Sequence, residues 1–188
     1  MSRLSEKVAL ITGGSRGIGA AIAKRLAADG ASVAITYAKE ASAASAVVKT
    51  IELSGGKAVA IQANAADVEA VKGAVEKTVA TFGRLDVLVN NAGTAIPKPF
   101  EETTLDEMDR VIDINVRGTL VATQAALKHM KPGGRIIIIG SSVGERVLVP
   151  GLVAYSATKG AVKMFSQGLS RAGVSRSITF SQVRSTRI

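Results

Sequence analysis

Short apolar runs recur along the chain, each followed by a segment with helical spacing, and this alternation restricts the fold more than any other feature. The runs are KVALIT from Lys7, ASVAITY from Ala31, AVAIQ from Ala58, DVLVNNAG from Asp86, RIIIIGS from Arg135 and ITFSQV from Ile178. Helical patterns lie between them: IGAAIAKRLAADG up to Gly30, about Lys39 to Leu53, Asp67 to Phe82, a long stretch from Thr104 to about Lys131, and Leu152 to about Ser170. Glycines and prolines punctuate them, at Gly55 and Gly56, at Pro97 and Pro99, and at Pro132 to Gly134. Thr104 with Glu107 reads as a capping box at the start of the long helix. Strands that are apolar throughout are buried on both faces, and strands joined by helices pair in parallel through right-handed crossovers. The expected fold is therefore α/β: a doubly wound parallel sheet of Rossmann type with at least six strands and helices on both faces.

A chain of 188 residues, 47% hydrophobic and 3% aromatic, suits one domain with a core of Ala, Val, Ile and Leu. The expectation is a single dinucleotide-binding domain over residues 1–188. No cysteine is present, which removes disulfides, thiolate catalysis and Cys-ligated metals; with His129 as the only imidazole, a His-rich metal site is removed too, and no metal is expected. The N-terminal apolar run is too short for a signal peptide and no stretch approaches a membrane span, so a cytoplasmic protein without membrane contact is expected. The net charge of +9 is spread along the chain with few aromatic residues to stack on bases, which argues against nucleic acid as a partner. From Arg171 to the end the chain is basic, with no acid.

In a doubly wound sheet, ligands collect outside the carboxyl ends of the strands at the switch point. TGGSRGIG, Thr12 to Gly19, occupies that place between the first strand and helix. Its glycines Gly13, Gly17 and Gly19 allow a tight turn and close approach of a pyrophosphate to the helix N-terminus. The second strand ends with Tyr37 and Ala38, where an acid would hydrogen-bond a ribose 2′-hydroxyl. Arg16, joined by Lys39, offers positive charge instead, so NADP(H) is expected over NAD(H). The competing reading has Arg16 merely exposed and Glu40 acting as the acid.

Tyr155 and Lys159 stand at i and i+4 on the last helix, where Cβ atoms lie about 5 to 6 Å apart. A free phenol titrates near 10, and a nearby ammonium favours its anion. Pro150 and Gly151 mark the helix start, which places the pair close to the carboxyl ends of strands four and five. Ser142 follows strand five and can donate to a carbonyl oxygen that Tyr155 also reaches; Ser141 competes for that role. Surface packing of the pair and a plain strand end for the serines are the bland alternatives.

Together, TGxxxGxG, NNAG at Asn90 to Gly93, Asn115 on the fourth helix, Ser142 and YxxxK resemble the short-chain dehydrogenase/reductase family, and within it are similar to bacterial 3-oxoacyl-acyl-carrier-protein reductases. The resemblance implies an NADPH-dependent oxidoreductase that reduces a ketone, including a 3-oxoacyl thioester, to a secondary alcohol. It implies Tyr155 as general acid, Ser142 polarising the carbonyl, Lys159 holding the nicotinamide ribose and lowering the tyrosine's pKa, and Asn115 kinking its helix and anchoring a relay water. The cofactor would be lined by Gly13, Ser15, Arg16, Gly17, Ile18 and Gly19, then Tyr37 and Ala38, then Asn64 and Ala65 beside the adenine, then Asn91, Ala92 and Gly93, and by Tyr155 and Lys159. Substrate would meet Ser142 and Tyr155. The implied partners are a small-molecule carbonyl or alcohol, a carrier-linked form included, and further copies of the chain in a dimer or tetramer through a helix bundle. Lys128, Lys131, Arg135 and Arg171 are read as basic groups near the cleft mouth that would attract an acidic carrier.

Where the family has Asp at the end of strand three, this chain has Asn64, whose amide oxygen can still accept a hydrogen bond. Where the family has Pro-Gly after strand six, it has Ser185 and Thr186. On that reading the chain lacks the substrate-covering lid and seventh strand, strand six is an exposed edge, and the alternative function is a truncated NADP-binding chain with little turnover.

Overall fold

The computed structural model describes residues 4–147, 149–171 and, for the backbone, 177–183. The strands are β1 (Val8–Ile11), β2 (Ser32–Tyr37), β3 (Lys57–Gln62), β4 (Val87–Asn90), β5 (Arg135–Ser141) and β6 (Ser177–Val183). The helices are α1 (Gly17–Ala28), α2 (Ala41–Leu53), α3 (Val68–Phe82), α4 (Leu105–Ile112), α5 (Gly118–Leu127) and α6 (Val153–Arg171). The sheet order is β3-β2-β1-β4-β5-β6, with every neighbouring pair parallel. The chain winds outward from β1 to β3, then returns through α3 to place β4 against the other side of β1. That reversal leaves a crevice between the carboxyl ends of β1 and β4.

Strand alternation divides the core between the two faces. Ala9, Ile11, Val33, Ile35 and Val89 point to one side and pack with Ala20, Ala23, Ala44, Val47 and Ile51 of α1 and α2. Leu10, Ala34, Leu88, Ile136 and Ile138 point to the other and meet Val71, Val75, Ala122, Ala126 and Val162 of α3, α5 and α6. The many alanines bring the helices close to the sheet, so the core fills with little aromatic volume. Helix α3 shows how its ends are set: Asp67 accepts from Glu69 N and Ala70 N at the start, and Gly83 takes φ of 78° at the end.

The long helix is not continuous. The capping box of Thr104 and Glu107 starts α4 as expected, but Asp113–Arg117 form a π-helical turn before α5 begins, and α5 ends at Leu127 rather than near Lys131. One residue is added to the turn, which turns Asn115 inward. The fourth apolar run also divides, since β4 stops at Asn90 and Asn91–Gly93 leave the sheet as a loop over the crevice. The Ser185 and Thr186 position and most of the basic tail lie outside the described residues. No helix among the described residues is long and apolar enough to cross a membrane.

Candidate active site

At the crevice, the loop after β1 is held by groups from the two neighbouring strands, β2 and β4. Gly13 N donates to Thr36 Oγ1 at 3.0 Å and Gly14 N to Thr36 O at 2.9 Å. Asn91 Nδ2 donates to Thr12 O and Gly13 O at 2.9 Å, and Thr12 Oγ1 accepts from Asn91 N and Ala92 N at 3.0 Å. Gly13 and Gly17 have φ of 64° and 55°, a region glycine enters without strain. A Cβ on Gly19 would stand 2.5 Å from both Asn91 Nδ2 and Gly13 O, so only glycine lets α1 start this close to the loop. The first turn of α1 has neither a side-chain cap nor an acid, which leaves its N–H groups and positive dipole end directed to the crevice. Arg16 and Ile18 stand exposed on this loop, with Ser15 half-buried.

Beside it, a narrow cleft is lined by Thr12, Thr36, Ala65, Ala92, Ile114, Gly118 and Thr119, together with core residues that include Leu10, Val71 and Val75. Gly118 matters here because a Cβ on it would collide with the carbonyl oxygen of Ala65, so glycine lets α5 touch the segment after β3. Asn64 is exposed at that segment, and its Oδ1 closes an Asx turn onto Ala66 N at 3.2 Å, which leaves a second lone pair for a ligand. Tyr37 and Ala38 end β2 nearby, with Lys39 and Glu40 both exposed beyond them. Thr12, Thr36 and Ile114 were not anticipated from the sequence; the two threonines read as strand ends, and Ile114 enters the cleft only because of the π-helical turn.

The other half of the crevice gathers Asn115, Lys159 and Tyr155. Asn115 is 2% exposed, and both hydrogens of its amide are engaged: Oδ1 accepts from Thr94 N at 2.8 Å, while Nδ2 donates to Thr94 O at 2.9 Å and Thr158 Oγ1 at 3.0 Å. Thr119 Oγ1 donates to Asn115 O at 2.9 Å, taking one of that carbonyl's two lone pairs. Lys159, 7% exposed, donates from Nζ to Ile139 O at 2.8 Å, and the same Nζ lies 5.6 Å from the centroid of the Tyr155 ring. Burial pushes the Lys159 pKa below its ordinary 10.5. A Cβ on Gly93 would stand 3.4 Å from Asn115 Oδ1 and 3.8 Å from Lys159 Nζ, so the NNAG loop passes directly over both.

Ser142 opens a 3-10 turn, Ser142–Gly144, whose end packs on α6 at Lys159 and Gly160. Ser141 Oγ accepts a long hydrogen bond of 3.5 Å from Val143 N and keeps its own proton to donate. Tyr155, Lys159 and Ser142 do not line the cleft of Thr12 and Ile114.

One expectation about charge is overturned. Arg135 opens β5, Lys128 follows α5, Lys131 lies between them, and Arg171 ends α6. In a parallel sheet these all belong to the end where strands begin, opposite the crevice, so they are not at the cleft mouth. Arg16 and Arg146, which follow β1 and β5, are exposed on the crevice side. His129 is likewise remote, its Nε2 2.8 Å from Glu76 Oε1 of α3.

A model of the short chain dehydrogenase family matches residues 7–187. An uncharacterized oxidoreductase of Methylorubrum extorquens is 51% identical over 88% of this chain and 66% of its own length. A hydroxynaphthalene reductase of Aspergillus fumigatus is 45% identical over 88% of this chain and 60% of its own. The chain thus spans less than two thirds of these curated relatives. The crystal structure of a short chain dehydrogenase from Burkholderia cenocepacia in complex with NADP superposes with a TM-score of 0.92 at 52% identity, covering 97% of this chain and 74% of that one. The alternating fold, the glycine loop on Asn91 and the Tyr155–Lys159 helix agree with these matches, and the chain belongs to the short chain dehydrogenase family.

Proposed function

We propose that the chain is the nucleotide-binding and catalytic part of an NADPH-dependent reductase that converts a ketone to a secondary alcohol. The observation that carries this reading is the convergence on one crevice of an uncapped helix start behind three glycines and the Asn115, Tyr155 and Lys159 cluster. Bound NADPH would supply the hydride. Gly13 to Gly19 and the first N–H groups of α1 would hold the pyrophosphate, with open space in front of Gly17, where a Cβ would meet nothing within 4 Å. Ala65, Ala92 and Ile114 would flank the adenine, with Asn64 accepting from it. Arg16 would take the 2′-phosphate, Tyr37 and Ala38 standing where a discriminating acid would otherwise be. The NADP complex of the Burkholderia cenocepacia relative supports that choice.

At the reacting end, Tyr155 would give its proton to the carbonyl oxygen while Ser142 donates a hydrogen bond to the same atom. Lys159 would hold the nicotinamide ribose. Asn115, whose side chain is fixed by Thr94 and Thr158, would anchor a relay water. The reductase named for hydroxynaphthalene supports a ring ketone as substrate class beside the 3-oxoacyl thioester.

The test is cofactor oxidation with NADPH and with NADH against cyclic aromatic ketones, simple ketones and 3-oxoacyl thioesters. Ketone-dependent oxidation of NADPH in preference to NADH is expected. Tight NADPH binding with no ketone turned over would leave only a binding module, and equal use of NADH would remove the role given to Arg16.

A further inference from the structure

The cluster contains one buried hydroxyl to which the reading above gives no part. Thr158 lies between Tyr155 and Lys159 on α6 and is 3% exposed. Its Oγ1 donates to Tyr155 O at 2.7 Å and accepts from Asn115 Nδ2 at 3.0 Å. Asn115 in turn grips the main chain of Thr94 from both sides of its amide. The result is a continuous line of hydrogen bonds from the loop after β4, through the π-helical turn, to the backbone of the tyrosine.

We propose that Thr158 is a positioning residue for catalysis: its hydroxyl couples Asn115 to the carbonyl of Tyr155 and so fixes the height and rotation of the first turns of α6 over the crevice. The argument is one of valence. A threonine hydroxyl has one proton and two lone pairs. The proton goes to Tyr155 O, and a lone pair goes to the only Asn115 donor that Thr94 does not take. Thr158 is thus the sole link in the described structure by which the Asn115 amide meets α6. Helix α6 is also seated by Gly144 against the Lys159 backbone, by Lys159 Nζ on Ile139 O and by Val162 in the core. The Thr158 link adds to these a hold on the first turns from the π-helical turn. The tyrosine hydroxyl lies at the end of a long lever from that axis, so a small rotation moves it far relative to Ser142. Misplacement of a reacting group by about 1 Å can cost on the order of a hundredfold in rate.

This inference rests on the reading of Tyr155 as the acid, and the test separates the two. Four proteins are compared with NADPH and the best ketone: the unaltered chain, Thr158→Val, Thr158→Ser and Tyr155→Phe, with rates normalised to NADPH-binding sites. Thr158→Val keeps shape but loses the hydroxyl, and its kcat is expected to fall roughly ten- to hundredfold with the Kd for NADPH unchanged. Thr158→Ser is expected to restore kcat. A merely structural threonine would lower the melting temperature and the yield, while each site that binds NADPH would still turn over at the normal rate. Full kcat per site in Thr158→Val, or a serine variant as slow as the valine one, overturns the proposal while Tyr155→Phe remains inactive. If Tyr155→Phe turns over normally, or the unaltered chain does not turn over at all, the reading of the site falls and this inference with it. Thr158→Ala serves in the same comparison if the valine variant does not accumulate folded.

Discussion

Lys159 is an ammonium-bearing side chain withdrawn from water, with Ile139 O as its hydrogen-bond partner and the Tyr155 ring nearby. Burial disfavours its charged form, so its native pKa lies below the 10.5 it has when unfolded. Between those two values the unfolded chain holds the extra proton, and stability rises with pH. The cost is therefore complete below the native pKa and is relieved as pH climbs toward 10.5. Relative to Lys159→Met, the unaltered protein is expected to gain stability across that alkaline window, measured by denaturant unfolding at a series of pH values. Parallel profiles for the two proteins would show that burial does not perturb this lysine. At this scale the spacing of the sequence was a good guide to which residues share a face and a poor one to how they are held. YxxxK is local, because i and i+4 always share a helix face. The engagement of Asn115 depended on Thr94 and Thr158, which no spacing relates to it.

Among the elements, α6 carries the site, and its seat is set by what touches its first half. The turn Ser142–Gly144 reaches it so closely that a Cβ on Gly144 would lie 2.8 Å from the Lys159 carbonyl carbon and 2.9 Å from its oxygen. Backbone atoms inside a helix cannot yield without moving the helix. Gly144→Ala is expected to destabilise by about 1–3 kcal/mol in chemical denaturation, as overpacking does. Gly160, across the same contact, would place its Cβ 3.6 Å from Gly144 O, an ordinary distance. Gly160→Ala is therefore expected to be neutral, or stabilising by up to about 1 kcal/mol from helix propensity. Equal costs for the two would mean the approach of turn to helix is not tight. The apolar runs marked the strands and the capping box marked the start of α4, because those signals are short-range. The family resemblance implied a kink at Asn115, but its π-helical form was not legible: DINVR has ordinary helical composition, and the turn goes with the seating of Asn115 on Thr94 and of Gly118 on Ala65.

For the whole molecule, the parallel sheet decides where chemistry can occur. All strand carboxyl ends face one way, so Gly13, Asn91 and Ser142 are brought together although they lie far apart along the chain. The same rule sends Lys128, Lys131, Arg135 and Arg171 to the opposite end, which the sequence could not reveal without the path of α5 and α6. The crevice is thus made by topology and furnished by side chains, and its tyrosine is proposed to donate a proton to the carbonyl that is reduced. The most direct measurement is single-turnover oxidation of bound NADPH by a ketone, comparing the unaltered chain with Tyr155→Phe. Ketone-dependent oxidation in the first and a rate lower by on the order of a hundredfold or more in the second, with NADPH bound equally well, is the predicted result. Equal rates in the two proteins would contradict it.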